Sequence, residues 1–353
     1  MSRFKAKLLS FIINAYRSKF RTTPENIDFP SVKQIAIINN KRLGDFLFCT
    51  PSIRAIKDAN PNVKIIAITS HGNKGLISKC PYIDEVLYMG ERMGEAIEIG
   101  FKLRKIKPDL GIVFHSKSPF DLVAMALSGA SCIMKHYFGN ERKILMSCYD
   151  AVVVGGFNPP VQNDLALVGK LNIDTDKKKM FYPSPVSTKS AEGLNIGIQL
   201  GASGSDRFFP TDKAVKIVET VSNEFPSCKF HLIGSRNEVE LSTEFFKLLK
   251  PELAQRVTDN VGKTTLPELA KLINNFTVLV TPDTGCLHIA TALQTKTVSL
   301  FTIKQQKASV PQQDPELHHV FYASEYCVDE AKCNLSSIPT EEIIAKVIKA
   351  IGY

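Results

Sequence analysis

No stretch of the 353 residues approaches the ~20 consecutive apolar side chains that a membrane-spanning helix requires, which excludes a polytopic membrane protein. The eight cysteines (49, 80, 132, 148, 228, 286, 327 and 333) are scattered, most within apolar runs. That excludes a small disulfide framework and points to buried free thiols in a reducing compartment. Cys327 and Cys333 form the one close pair. Five intervening residues match no common zinc spacing and no second pair follows, so no metal site is expected. No RNP motif, zinc finger or aromatic-plus-basic platform is evident, so nucleic acid is not an expected partner. Tryptophan is absent too, which excludes nothing by itself.

Acidic residues are also missing from the start of the chain. Arg3, Lys5, Lys7, Arg17, Lys19 and Arg21 all precede the first of them, Glu25. Between these bases Phe4, Leu8, Ile12, Tyr16 and Phe20 recur every four residues. An apolar helical stripe with basic flanks suits either a helix lying on anionic lipid or one docked on the following domain. Ser10 and Asn14 interrupt it and no small-residue cleavage site follows, which argues against a secretory signal.

What is present is the composition of a folded protein, 44% hydrophobic and 22% charged. The net charge of +9 is uneven. Residues 1–187 carry 27 Lys+Arg against 16 Asp+Glu, and residues 188–353 carry 17 against 19. A basic first half calls for an anionic partner: a phosphorylated substrate or a membrane surface.

Short apolar runs alternate with longer helical segments, the pattern of a doubly wound parallel sheet. The first set includes strands at Gln34–Asn39, Val63–Thr69, Val86–Met89 and Leu110–Phe114, with a helix over Phe46–Ala59. A Pro/Ser-rich break at Tyr182–Ser187 follows, and the pattern restarts. Strands are expected at Asn195–Leu200, Lys229–Gly234, Val278–Val280 and Val298–Phe301, and helices at Thr211–Phe225, Glu238–Leu249, Thr265–Ile273 and Glu341–Ile351. The expected fold is α/β, two Rossmann-like domains whose parallel sheets face each other across a cleft. The divisions are a basic amphipathic helix and linker (1–30), a first domain (31–187), a second domain (188–338) and a terminal helix (339–353).

Four loops at predicted strand ends carry chemistry, where open α/β sheets bind ligands. Asn39-Asn40-Lys41-Arg42-Leu43-Gly44-Asp45 places a carboxylate near a helix start, either a cap or a general base. Leu200-Gly201-Ala202-Ser203-Gly204-Ser205-Asp206-Arg207 combines small residues, hydroxyls and a cation with bidentate reach to phosphate. This segment is neither a Walker A loop nor a GxGxxG fingerprint. Gly234-Ser235-Arg236-Asn237-Glu238 offers a carboxylate for a ribose, or a helix cap. In Thr281-Pro282-Asp283-Thr284-Gly285-Cys286-Leu287-His288, a strand, a tight turn and a helix N-terminus form a natural phosphate site. Asp283 or Thr284 is placed to cap that helix, and His288 lies one turn beyond Thr284 on the same face.

The order and spacing of these segments resemble glycosyltransferase family 9, the ADP-heptose:lipopolysaccharide heptosyltransferases. The resemblance spans nearly all of residues 32–351. It rests on Arg42-Leu43-Gly44-Asp45 with Thr50-Pro51 and Ile53-Arg54-Ala55, on Asn60-Pro61, on Gly201-Ala202-Ser203 with Arg207 and Pro210, on Gly234, and on Asp283-Thr284-Gly285 with His288 and Ala290. It implies a GT-B fold whose terminal helix returns to the first domain. It implies inverting, metal-independent transfer without a cofactor, from ADP-heptose as substrate to a lipopolysaccharide-core or related anionic glycolipid acceptor. Asp45 falls at the catalytic base. Ser203, Ser205, Arg207, Glu238, Asp283, Thr284, Gly285 and His288 fall on the donor side, and Lys41, Arg42 and Gly44 on the acceptor side. The sequence departs from the family in Arg207, where Lys is usual, in Phe208-Phe209, where a Trp is usual, and in the N-terminal extension of about thirty residues.

The implied setting is cytoplasmic, peripheral on the inner membrane through the basic helix. Two rivals fit the same fold. A nucleotide-sugar epimerase leaves the basic first half unexplained, and a non-catalytic nucleotide-sugar-binding protein at the membrane surface gives no role to Asp45.

Overall fold

A computed structural model describes residues 11, 15–17, 21–114, 119–137, 148–154, 159–189, 193–303, 309–329 and 333–352. The chain forms two compact units, Met1–Ser184 and Pro185–Tyr353.

The first unit runs β1 (Gln34–Asn39), α1 (Leu43–Phe48), α2 (Thr50–Ala59), β2 (Lys64–Thr69), α3 (Lys74–Ile77), β3 (Glu85–Tyr88), α4 (Met93–Ile106), β4 (Leu110–Val113), α5 (Pro119–Ser128), β5 (Cys132–Tyr137), β6 (Ala151–Val154) and α6 (Pro160–Gly169). Its strands are all parallel, in the order β3-β2-β1-β4-β5-β6. Sheets covered on both faces select continuous apolar strands, and β1 is buried at every position from Ile35 to Asn39. The helix expected over Phe46–Ala59 is two helices. Proline fits only the first turn of a helix, and Pro51 starts α2 just after Cys49 ends α1.

The second unit runs β7 (Asn195–Gln199), α7 (Thr211–Glu224), β8 (Lys229–Ile233), α8 (Val239–Leu248), α9 (Pro251–Ala254), β9 (Val257–Asp259), α10 (Leu266–Asn275), β10 (Val278–Pro282), α11 (Gly285–Ala292), β11 (Thr297–Phe301), β12 (His318–Tyr322) and α12 (Thr340–Ile351). The order β12-β11-β10-β7-β8-β9, again parallel, repeats the topology of the first sheet. In each sheet the winding reverses direction once, between β1 and β4 and between β7 and β10. These are the switch points where neighbouring loops diverge and leave room for a ligand.

The terminal helix buries Ile343, Ile344, Val347 and Ala350 of its apolar face in the core of the second unit, against α7, β10 and β11. One expectation is corrected: Cys327 and Cys333, expected as free thiols, are joined as a disulfide, with their Cα atoms 6.2 Å apart. The other six cysteines are buried free thiols. Arg17 and Arg21, among the bases flanking a stripe that suits either lipid or docking, both pair with Asp150, and Arg17 is itself buried. Burying that cation requires partners, and a second one is the Ala130 carbonyl at 3.2 Å. The Thr22 amide donates to Ser131 at 3.1 Å, so this end of the N-terminal segment docks on the first unit. Phe4, Leu8, Ile12 and Phe20 of the stripe lie outside the described residues.

Candidate active site

In the second unit the switch point gathers the loops after β7, β8 and β10. Gln199, the last residue of β7, is buried and fixes the turn after β10. Its Oε1 accepts from the Thr281 hydroxyl at 2.9 Å and from the Thr284 hydroxyl at 2.7 Å. Thr284 therefore occupies the N-cap position of α11 without capping it by its side chain, contrary to the expected cap. The hydroxyl is spent on orienting the turn. The dipole of the helix stays directed at whatever sits before Gly285.

Asp283 lies just outside that helix start. Its Oδ2 is 3.8 Å from Arg207 Nη1, and its Oδ1 is 3.9 Å from His288 Nε2. Burial raises the Asp283 carboxyl above its ordinary value, and the Arg207 guanidinium works against that rise. Burial pushes His288 down to about 4, so it is a neutral imidazole at pH 7. His288 is only 7% exposed. Arg207 also donates to the Ser203 hydroxyl. Ser205 is exposed at the start of the single turn Ser205–Arg207. Ser203, Arg207, Asp283 and His288 thus form one chain of contacts, and Gly285 opens the helix beside it.

Glu238 joins the cluster from β8. Its Oε1 accepts from the Ser235 amide at 3.0 Å and the Ser235 hydroxyl at 2.7 Å, so it does serve as a capping-box carboxylate. Its Oε2 is buried without a hydrogen-bond partner, against the backbones of Gly201 and Gly234. A Cβ on Gly201 would stand 2.4 Å from the Glu238 carboxyl, so only glycine lets the β7 loop come this close.

In the first unit Asp45 sits in the first turn of α1, at the end of β1. Its carbonyl accepts from Asn39 Nδ2 at 2.8 Å, with Asn39 wholly buried. Asp45 lines a mouth of about 640 Å³ with Lys41, Arg42, His71, Asn73 and Glu91. The Lys41 carbonyl accepts from the Ser70 hydroxyl at 3.0 Å and Asn73 Nδ2 at 3.1 Å, which pins the loop carrying both cations. Gly44, expected on the acceptor side, is buried in α1 and is not among the lining residues. Asp164 on α6 is fully buried 3.5 Å from His136 on β5, and burial plus the charge of Asp45 hold its carboxyl well above the ordinary range.

Sequence reasoning missed Gln199, Thr281, Asn39 and the His136–Asp164 pair. For the first three a signal exists: each is a polar residue in or ending an otherwise apolar strand. His136 and Asp164 lie on elements that carry no motif.

Among the described residues no group of three His, Cys, Asp or Glu is placed to hold a metal ion, and no helix is long and apolar enough to cross a membrane. The sequence model described as "Glycosyltransferase family 9 (heptosyltransferase)" matches residues 152–332. The chain is 32% identical over 293 residues to lipooligosaccharide heptosyltransferase 2 of Haemophilus influenzae, covering 76% of this chain and 82% of that one. It is 24% identical over 319 residues to the Campylobacter jejuni protein of the same name, covering 87% and 96%. The solved Escherichia coli ADP-heptose lps heptosyltransferase II superposes with a TM-score of 0.72 at 19% identity, covering 90% of this chain and 98% of that one. That structural likeness establishes the GT-B fold. The family match spans more than half of the chain and is joined by relatives that run nearly its whole length, so the chain belongs to glycosyltransferase family 9 and is a glycosyltransferase.

Proposed function

We propose that the protein transfers a heptose from ADP-heptose to a lipopolysaccharide-core acceptor, with inversion at the anomeric carbon and without a bound metal. The observation that carries this reading is the contact chain Ser203–Arg207–Asp283–His288 at the mouth of α11. A nucleoside diphosphate needs fixed positive charge and free amides where negative charge grows as the sugar leaves. Arg207 and the amides at the start of α11 supply both. Glu238 Oε2 is a buried acceptor lacking a donor, which suits a ribose hydroxyl.

On the first unit the acceptor binds in the mouth beside Lys41 and Arg42. Asp45 takes the proton of the attacking hydroxyl as that oxygen bonds to the anomeric carbon and the diphosphate departs with the bonding pair. The names of the relatives support heptose as the sugar and lipopolysaccharide core as the acceptor class. The basic N-terminal segment brings the enzyme to the cytoplasmic face of the inner membrane, where such a glycolipid is found.

Purified protein incubated with ADP-heptose and a heptose-acceptor core glycolipid should give a product heavier by one heptose. Asp45→Ala should lower the rate by about 10²-fold or more with the unfolding temperature kept. Transfer within a few-fold of wild type in that variant would remove Asp45 as the base. Conversion of the donor alone into an isomeric sugar nucleotide would instead identify an epimerase.

A further inference from the structure

The first unit buries its large apolar side chains with four exceptions among the described residues: Phe11, Tyr16, Ile97 and Phe101, from 38% to 73% exposed. Three of these are grouped. Ile97 and Phe101 lie one turn apart on the outer face of α4, and the Tyr16 ring packs edge-on against Phe101 at 5.5 Å. Arg104, the next residue along that face, holds Tyr16 twice. It donates to the Tyr16 carbonyl at 2.8 Å and lays its guanidinium 5.4 Å from the ring centre. The buried face of the helix, Ala96, Ile99, Gly100 and Leu103, is fully used by the core. The outer stripe is therefore extra apolar surface that the fold does not need.

Its rim is basic. Lys102, Arg104, Lys105 and Lys107 follow along α4, and its nearest acid, Glu98, is paired with Lys102 at 2.7 Å. Glu95, farther toward the helix start, is turned to the Gly90 amide at 2.6 Å. Apolar side chains ringed by cations complement an anionic lipid surface: the rings enter the headgroup boundary and the cations meet the phosphates. A protein partner of ordinary surface composition gives no reason for four bases against one acid, Glu98, beside this stripe.

The patch is also well placed for the reaction. α4 starts at Met93, just after the Met89–Glu91 segment that lines the Asp45 mouth. At 1.5 Å rise per residue, Ile97 is ~6 Å and Phe101 ~12 Å along the helix from that start. A bilayer touching this stripe lies beside the mouth that receives the acceptor.

We propose that the outer face of α4, with Tyr16, is a membrane-binding surface that seats the first unit on anionic lipid and presents the Asp45 mouth to a lipid-borne acceptor. This rests on the reading above only for the acceptor, and its test does not depend on transfer.

The full chain is sedimented with vesicles of phosphatidylglycerol and phosphatidylethanolamine, or of phosphatidylcholine alone. The wild type should bind the anionic vesicles at least tenfold more tightly, and Ile97→Ser/Phe101→Ser should lose most of that binding. Because the chain has no tryptophan, Phe101→Trp gives a single reporter whose emission should shift to shorter wavelength on anionic vesicles. An unmoved emission at saturating lipid would overturn the proposal. So would a Ser variant that binds within twofold of wild type, or a concentration-dependent dimer abolished by the Ser substitutions. Transfer to a delipidated core acceptor should stay within twofold in the Ser variant. A loss of transfer there with lipid binding intact would count against the face assignment and not against the transferase reading.

Discussion

Arg207 and Asp283 face each other at 3.8 Å across the junction of β7 and β10, two strands paired in the sheet but more than seventy residues apart in sequence. Neither charge is placed by its own loop alone. Asp283 draws Arg207 toward the start of α11, and Arg207 limits how far burial can raise the Asp283 carboxyl. The pair holds the Arg207 guanidinium at the place where a diphosphate would meet the helix dipole, so little reorganisation is needed when the charge arrives.

Removing that cation should be costly at the donor. Arg207→Ala should lower kcat/KM for the nucleotide sugar by about 10²–10³-fold, while Arg207→Lys should retain a larger share because the charge stays and the fork is lost. Steady-state kinetics with the donor varied checks both. Equal values for the Ala variant and wild type would show that the leaving group is stabilised elsewhere.

Gln199 should be a structural determinant of the same site. Gln199→Leu leaves the Thr281 and Thr284 hydroxyls without their shared acceptor in a buried place, at a cost of about 1–3 kcal/mol. Urea unfolding should report that loss, and donor affinity should fall with it because the turn before α11 is no longer held.

The close approach of the β7 loop to Glu238 makes a reciprocal test. Gly201→Ala places a Cβ 2.4 Å from the Glu238 carboxyl and should destabilise by about 1–3 kcal/mol. In the double variant Gly201→Ala/Glu238→Ala much of that clash is gone, so the combined loss should be smaller than the two single losses added. Strict additivity would mean that the two loops do not meet as described.

Stability should fall in mild acid, partly through His318. Burial pushes this imidazole from its ordinary 6.5 down to about 4. Between those values the unfolded chain binds the proton and the folded chain does not, so stability declines as pH drops from about 6.5 toward 4. Its share by pH 4.5 is on the order of 2 kcal/mol. His318→Gln should reduce the acid-induced loss of unfolding free energy by that order. Asp164, whose raised carboxyl acts in the opposite sense, is common to both proteins and cancels in the comparison. His288 adds to the same acid loss but lies in the candidate site, so His318 is the cleaner probe.

The sequence by itself determined the class of fold and the family. Strands buried on both faces must be apolar throughout, so β1, β2, β7, β8 and β10 announce themselves. Glycine, proline and polar residues have nowhere to go but the strand ends. The strands β5, β6, β9 and β12 are not legible, because β6, β9 and β12 are edge strands and β5 carries Lys135 and His136 inside it. Which residues of the site touch was decided only by the tertiary structure. Strand order brings β7 beside β10, and that adjacency alone puts Gln199 under Thr284 and Arg207 beside Asp283. The same holds for α12, whose apolar stripe was plain in the sequence but whose partner was not. A stripe records that a face is buried, and only the packed chain says against what.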